Sequence, residues 1–238
     1  MKFLAGDIGG TKTVIALYSS ETGPSSPLIE STYPSADYAS LEAIIKTFIE
    51  QQQLSADECA VATFGVAGPV VAGRASITNL PWHMDEAQLA NSLGLKNVML
   101  INDLVAIASA VPGLPDSDLH TLNVGNPIVN GPLAVIAPGT GLGEAYLVHD
   151  GSHYRAFPSE GGHVGFGPNN EIENQLLVYL QKALSKVEGT YAHVSWERVC
   201  SGIGIPNIYS FFKHKGDDKE DHEVEAQIAE ATANHQDI

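Results

Sequence analysis

Two hydrophobic periods alternate along this chain. Residues 3–18, FLAGDIGGTKTVIALY, read as an apolar strand, a Gly-Gly-Thr turn and a second strand. PLIESTYP reads as a third strand, and YASLEAIIKTFIEQQQL as an amphipathic helix with Leu41, Ile44, Ile45, Phe48 and Ile49 on one face. CAVATFGVAG then reads as a buried strand and DEAQLANSLG as a helix closed by Gly94. KNVMLIND is a strand, and LVAIASAVPG a helix stopped by Pro112-Gly113. The order βββαβαβα predicts an α/β unit whose helices pack on a mostly parallel sheet.

The pattern begins again at Leu133. AVIAPGTGLGEAYLV, residues 134–148, has the layout of the N-terminal hairpin, and HYRAFP supplies a third strand. Helical segments are expected at about 170–186, 195–201, 205–213 and 222–234. No later run resembles VATFGVAG or VMLIND, so the second half is expected to lack its final strand pair. The boundaries drawn from this pattern are 1–110 for the first domain and 111–238 for the second. Such internal similarity suggests two related halves.

Both hairpins turn on glycines, and glycine lets backbone N–H groups approach an anion without a Cβ in the way. Gly143 is followed by Glu144 and Ala145 rather than Lys-Ser/Thr, which excludes a P-loop, and EAYLVH alternates like a strand, which excludes a dinucleotide fingerprint opening a helix. Each turn alone is also what a tight hairpin requires. The doubling favours a polyphosphate held by Gly9-Gly10-Thr11 and Gly139-Thr140-Gly141.

Composition narrows the partners. The net charge of −16 over 238 residues repels nucleic acid and anionic membrane, so an anionic substrate needs backbone donors or a metal ion. Cys59 and Cys200 have no paired spacing, which argues against a disulfide framework or zinc cluster and fits a reducing cytoplasm. Asp7 and the glycines interrupt any N-terminal signal run, and no apolar stretch reaches the roughly 20 residues of a membrane span.

Four stretches carry candidate chemistry. LINDLVA sets Asn102-Asp103 where a strand ends and a helix begins, the place where α/β proteins bind ligands. Capping the helix and accepting a proton from an attacking hydroxyl are both open to Asp103. SEGGHVGFGP presents Glu160 and His163 around two glycines, with no third ligand nearby to make a metal site. HVSWERVCSG puts Glu197 in a first helical turn, where an acid suits the dipole. TNLPWH reads as a Thr-Asn turn ahead of Pro81.

LAGDIGGTKT, GVAGPV, TNLPW, LINDLVA, APGTGLGEA, SEGGHVGFGP and HVSWERVCSG, in order from residue 4 to about 202, resemble the bacterial glucokinase family of the actin-like, hexokinase and sugar-kinase superfamily. The resemblance implies two ribonuclease H-like domains around a cleft and ATP-dependent phosphorylation of glucose at its 6-hydroxyl. It implies Asp103 as general base, with Asn79, Asn102, Glu160, His163 and Glu197 holding sugar hydroxyls. Asp7 would position Mg²⁺ through water. Gly9, Gly10, Thr11 and Lys12, with Gly139, Thr140, Gly141 and Gly143, would contact the phosphates. Val14 stands where members often have a basic residue three after the threonine. Members continue for roughly another third of this length with an adenosine-binding Gly-Gly strand and two further helices, so a chain ending at Ile238 is expected to recognise sugar better than nucleotide. The alternatives are a sugar-binding protein impaired in catalysis and a chaperone-like or actin-like ATPase. A homodimer is left open.

Overall fold

A computed structural model describes residues 1–55, 58–77, 80–188, 192–216, 223–224 and 226–228. Internal packing divides the chain into two compact units, one of Met1–Val129 with His149–Ala156, the other of Asn130–Val148 with Phe157–Ile238.

In the first unit the strands are β1 (Lys2–Ile8), β2 (Lys12–Ser19), β3 (Ile29–Pro34), β4 (Cys59–Val66), the short β5 (Val70–Val71), β6 (Arg74–Ser76) and β7 (His83–Asp85), and β8 (Val98–Asn102). The helices are α1 (Leu41–Gln51), α2 (Glu86–Leu93) and α3 (Asp103–Ala110). The main sheet has the order β3-β2-β1-β4-β8, with β1, β2 and β3 antiparallel and β4 and β8 parallel to β1. This is the ribonuclease H-like arrangement: a hairpin meander followed by two parallel strands reached through helical crossovers.

Local chemistry makes these elements. Ser40 caps α1 by accepting from Ala43 N at 3.3 Å, and Leu41, Ile44, Ile45 and Phe48 bury the helix's apolar stripe. They pack with Leu4, Leu17, Phe64 and Leu100 in one core, each such side chain contributing about 1.5–3 kcal/mol. Asp85 caps α2 through Ala87 N and Gln88 N, and Gly94, at φ 67°, ends it in the left-handed conformation. Gly6 is required in the middle of β1, because a Cβ there would stand 2.7 Å from Phe64 Cδ1 and 2.9 Å from Ile15 Cδ1.

The small β5-β6-β7 sheet has no counterpart in the sequence reading. Its strands of two and three residues are too short to show a period of two.

A further sheet, belonging to the second unit apart from residues 149 and 154–156, is formed by β9 (Leu133–Pro138), β10 (Leu142–His149) and β11 (Tyr154–Ser159), in the order β11-β10-β9, three strands among the described residues. Helices α4 (Glu171–Glu188) and α5 (Gly204–Lys215) meet over a core of Phe166, Leu176, Leu180, Val194 and Phe211. They correspond to the helices expected at 170–186 and 205–213.

The helix expected at 195–201 is corrected to a single 3-10 turn, Trp196–Arg198. Phe166 N donates to Val194 O at 2.8 Å and Trp196 N to Val164 O at 2.9 Å, holding 194–196 extended. Gly202 N is already committed to Gly139 O at 2.7 Å, so only one turn fits between these anchors. Residues 223–224 and 226–228 are helical, and the rest of the segment 222–234 lies outside the described residues. Among the described residues no helix is long and apolar enough to cross a membrane.

Candidate active site

In the first unit, β1, β4 and β8 end at the same edge. Register places Ile8, Val66 and Asn102 in one row, with Asp7, Gly65 and Ile101 in the row before. Asp7 and Asp103 therefore come together at the carboxyl ends of parallel strands. Gly65 faces α3, where a Cβ would make ordinary van der Waals contact at 3.4 Å from Ala106 Cβ and 3.7 Å from Asp103 Cα.

The cap of α3 is Asn102 rather than Asp103. Asn102 Oδ1 accepts from Leu104 N at 3.1 Å and Val105 N at 3.2 Å. Its amide donates to Gly68 O at 3.1 Å and to Asp103 Oδ1 at 2.8 Å. Leu104 N donates to the same Asp103 oxygen at 2.8 Å. One oxygen of Asp103 is thus anchored by two donors, while Oδ2 receives none among the described residues. Asp7 remains partly open to solvent, yet partial desolvation pushes its carboxyl above the ordinary range, and the Asp103 charge adds to this against the opposing pull of Lys12.

The Gly9-Gly10-Thr11 turn joins β1 to β2 and is closed by Gly9 N donating to Lys12 O at 3.0 Å. Ser35, absent from the sequence reading, clamps it. Its N–H donates to Thr11 O at 3.0 Å and its hydroxyl to Gly9 O at 2.8 Å, while Thr13 Oγ1 lies 2.9 Å from that hydroxyl. A lone serine after a proline gives no sequence signal of this role. Lys12 is exposed as the first residue of β2. Asn79 lies outside the described residues.

In the second unit, the turn between β9 and β10 is Gly139-Thr140-Gly141, closed by Gly139 N donating to Gly141 O at 2.9 Å. Gly143 lies past the turn, paired in the ladder with Ala137. A Cβ on Gly139 would meet nothing within 4 Å, so that flank of the turn is open. The inner side is tied down by Gly202 N to Gly139 O and by Ile203 N to Thr140 O at 3.2 Å. Gly141 makes room for Glu197, whose Oε2 would be 2.5 Å from an added Cβ and accepts from Leu142 N at 3.0 Å.

Glu197 also faces His163, with Oε1 3.9 Å from its Nδ1, while Glu160 Oε2 lies 3.7 Å from the Nε2 of the same ring. Glu160, His163 and Glu197 thus converge beside the glycine turn. Glu160 and His163 are exposed and Glu197 is mostly buried. Glycines again set the spacing: a Cβ on Gly161 would overlap the Glu144 carboxylate, and one on Gly162 the carbonyl oxygen of Leu142. Glu144, unassigned in the sequence, is the group that Gly161 accommodates. Its position in an alternating strand hid it.

Among the described residues no group of three or more His, Cys, Asp or Glu side chains is placed to hold a metal ion. Asp7 beside Asp103 offers two carboxylates whose mutual repulsion a cation would relieve, which suits a divalent ion arriving with its own ligands. The first unit therefore offers a half-anchored carboxylate and a clamped glycine turn. The second offers a glycine turn with an open flank beside two carboxylates and an imidazole.

The comparisons with known proteins agree with this chemistry. The chain matches the glucokinase family over residues 4–238. It is 42% identical over 213 residues to a glucokinase of Nostoc punctiforme, covering 89% of this chain and 60% of the relative. A Synechocystis glucokinase is 38% identical over 229 residues, covering 92% of this chain and 63% of the relative. The crystal structure of a glucokinase from an Antarctic psychrotroph superposes with a TM-score of 0.79 at 30% identity, covering 98% of this chain and 71% of that one. The chain thus spans about three fifths of the length of the curated relatives it matches. Matched by the family over residues 4–238 and 42% identical to a member over 213 of them, this chain belongs to the glucokinase family.

Proposed function

We propose that the protein transfers the γ-phosphoryl group of ATP to the 6-hydroxyl of glucose. The observation that carries this reading is Asp103, fixed at the start of α3 through one oxygen and open at the other. Such a carboxylate takes the hydroxyl proton as O6 attacks phosphorus and the bond to the β-phosphate oxygen breaks, with ADP leaving. Phosphoryl transfer asks a protein mainly for positioning and charge balance, and the two glycine turns supply backbone donors for the phosphates. Lys12 flanks the first turn, while Gly143 supports the second from the strand. Glu160, His163 and Glu197 hold sugar hydroxyls, Asn79 belongs to the same set, and Asn102 joins it by exchanging its bond to Gly68 O for one to the sugar.

Mg²⁺ entering with ATP would offset phosphate charge that a chain of net charge −16 does not neutralise, and Asp7 would help to hold it. A cytoplasmic location accompanies this reading, supported by Cys59 and Cys200 both being free thiols.

The test is glucose 6-phosphate formation from glucose, ATP and Mg²⁺ by the protein and by Asp103→Asn. Turnover should fall by about 10²-fold or more in the variant, with sugar affinity changed less. Turnover retained in Asp103→Asn would refute the assignment of the base. ATP hydrolysis without sugar phosphate would refute the reaction.

A further inference from the structure

His193 lies outside every residue assigned above to sugar or phosphate. Its Nε2 is 2.9 Å from the carbonyl oxygen of His163, thirty residues earlier in the chain. A carbonyl only accepts, so His193 donates and Nε2 carries the proton. Both the neutral Nε2–H tautomer and the imidazolium provide that donor, and the bond survives protonation of the ring.

The bond falls at a point the backbone leaves open. Segments 164–166 and 194–196 are joined by Trp196 N to Val164 O at 2.9 Å, Phe166 N to Val194 O at 2.8 Å and the bridge between Gly165 and Ser195. This pairing starts one residue after His163. On the other side, the turn Gly161–His163 is closed by His163 N to Glu160 O at 3.0 Å and Val164 N to Gly161 O at 2.9 Å. The carbonyl of His163 is where turn and ladder meet, and the only donor it has among the described residues is the His193 ring.

The peptide unit after His163 is thus held at both ends, its N–H by Gly161 O and its carbonyl by the His193 ring, and with His163 N bonded to Glu160 O this sets the direction of the Cα–Cβ bond. The imidazole has little else to aim it. Its distances of 3.7 Å to Glu160 and 3.9 Å to Glu197 exceed hydrogen-bond length, and 63% of its side chain is exposed.

We propose that His193 is a positioning residue. By holding the His163 carbonyl it orients the His163 imidazole towards the sugar hydroxyl that this ring binds. The inference rests on the sugar-site reading for its ligand, and on the hydrogen bond alone for its geometry.

The test compares His193→Phe, which keeps a ring and removes the donor, with His193→Gln, whose amide places a donor near the Nε2 position. The first readout is the NMR imidazole signals of His163 in the ligand-free 238-residue chain, assigned by their loss in His163→Gln. The second is glucose affinity by calorimetry. His193→Phe should shift or broaden the His163 signals and weaken glucose binding by about two- to tenfold, the range of one hydrogen bond. His193→Gln should return both towards wild type. Should the Phe variant not fold, His193→Asn, too short to reach the carbonyl, replaces it with the same expectation. Unchanged His163 signals in a folded donorless variant would overturn the proposal. Weakened binding that His193→Gln fails to rescue would also overturn it, since general destabilisation would then be the cause. Failure of the wild-type chain to bind glucose would refute the sugar reading instead, and the His163 signals would still decide the positioning role.

Discussion

Glu197 links the glycine turn to His163, one of the side chains proposed to hold sugar, and replacing its carboxylate tests both links. In Glu197→Ala the N–H of Leu142 loses its acceptor at 3.0 Å, beneath a side chain only 20% exposed. A buried donor left without a partner costs about 1–3 kcal/mol. Gly202 N and Ile203 N still hold the turn through Gly139 O and Thr140 O, so the loss should stay within that range. For a chain of this size 1 kcal/mol moves the melting midpoint by about 2–4 °C, which predicts a fall of about 2–12 °C. Glu197→Gln keeps a carbonyl acceptor for Leu142 and should lose less than half as much. Both variants should weaken glucose binding, because an amide accepts less strongly than an anion from a sugar hydroxyl. Thermal unfolding by circular dichroism and glucose calorimetry provide the two readouts. Equal stability of Glu197→Ala and wild type would refute the bond to Leu142 as a support of the turn.

Three further outcomes follow from the same geometry. Phe64→Ala, at a fully buried position against Gly6, should cost about 3–5 kcal/mol in denaturant unfolding. Gly162→Ala drives a Cβ into the Leu142 carbonyl, a backbone atom without freedom to withdraw, and should lower stability by about 1–3 kcal/mol while weakening glucose binding; an unaltered variant would show that the turn tolerates displacement. Asp7 has its carboxyl raised by folding, so the folded chain holds that proton more tightly than the unfolded one, and stability is lost as pH rises through the folded-state value. Asp7→Asn should therefore raise the melting midpoint of the ligand-free chain at pH 7, with the gain vanishing below the ordinary carboxylate range; a gain independent of pH would contradict the charge argument.

Much of the first unit was legible because its elements are long. The stripe Leu41, Ile44, Ile45, Phe48 and Ile49 and the stop at Gly94 announce α1 and α2; the first four are buried, and Ile49 is partly buried against the same core. Where the reading departed, tertiary bonds decided. A helix is expected over 195–201, but the bridge to Gly165 and the Gly202 bond to the glycine turn leave room for only the single turn Trp196–Arg198. Capping at the Asn-Asp pair went to Asn102, because the chain enters the helix with Asn102 at φ −62° and ψ 143° and Asp103 already inside. The residues that support the turns were invisible for another reason. Ser35, Glu144 and His193 act across gaps of 26, 17 and 30 residues, and ordinary residue types at such separations have no periodic signature.

Calorimetric titration of the 238-residue chain with glucose probes a sugar site built from Glu160, His163 and Glu197. Saturable one-site binding is expected, weakened in Glu160→Gln. The largest loss, up to about 10⁴-fold, is expected for the deoxy analogue lacking the hydroxyl held by Glu197, the one mostly buried partner of the three. A chain that is folded by circular dichroism and binds no glucose, or binds every deoxy analogue as well as glucose, would contradict that site.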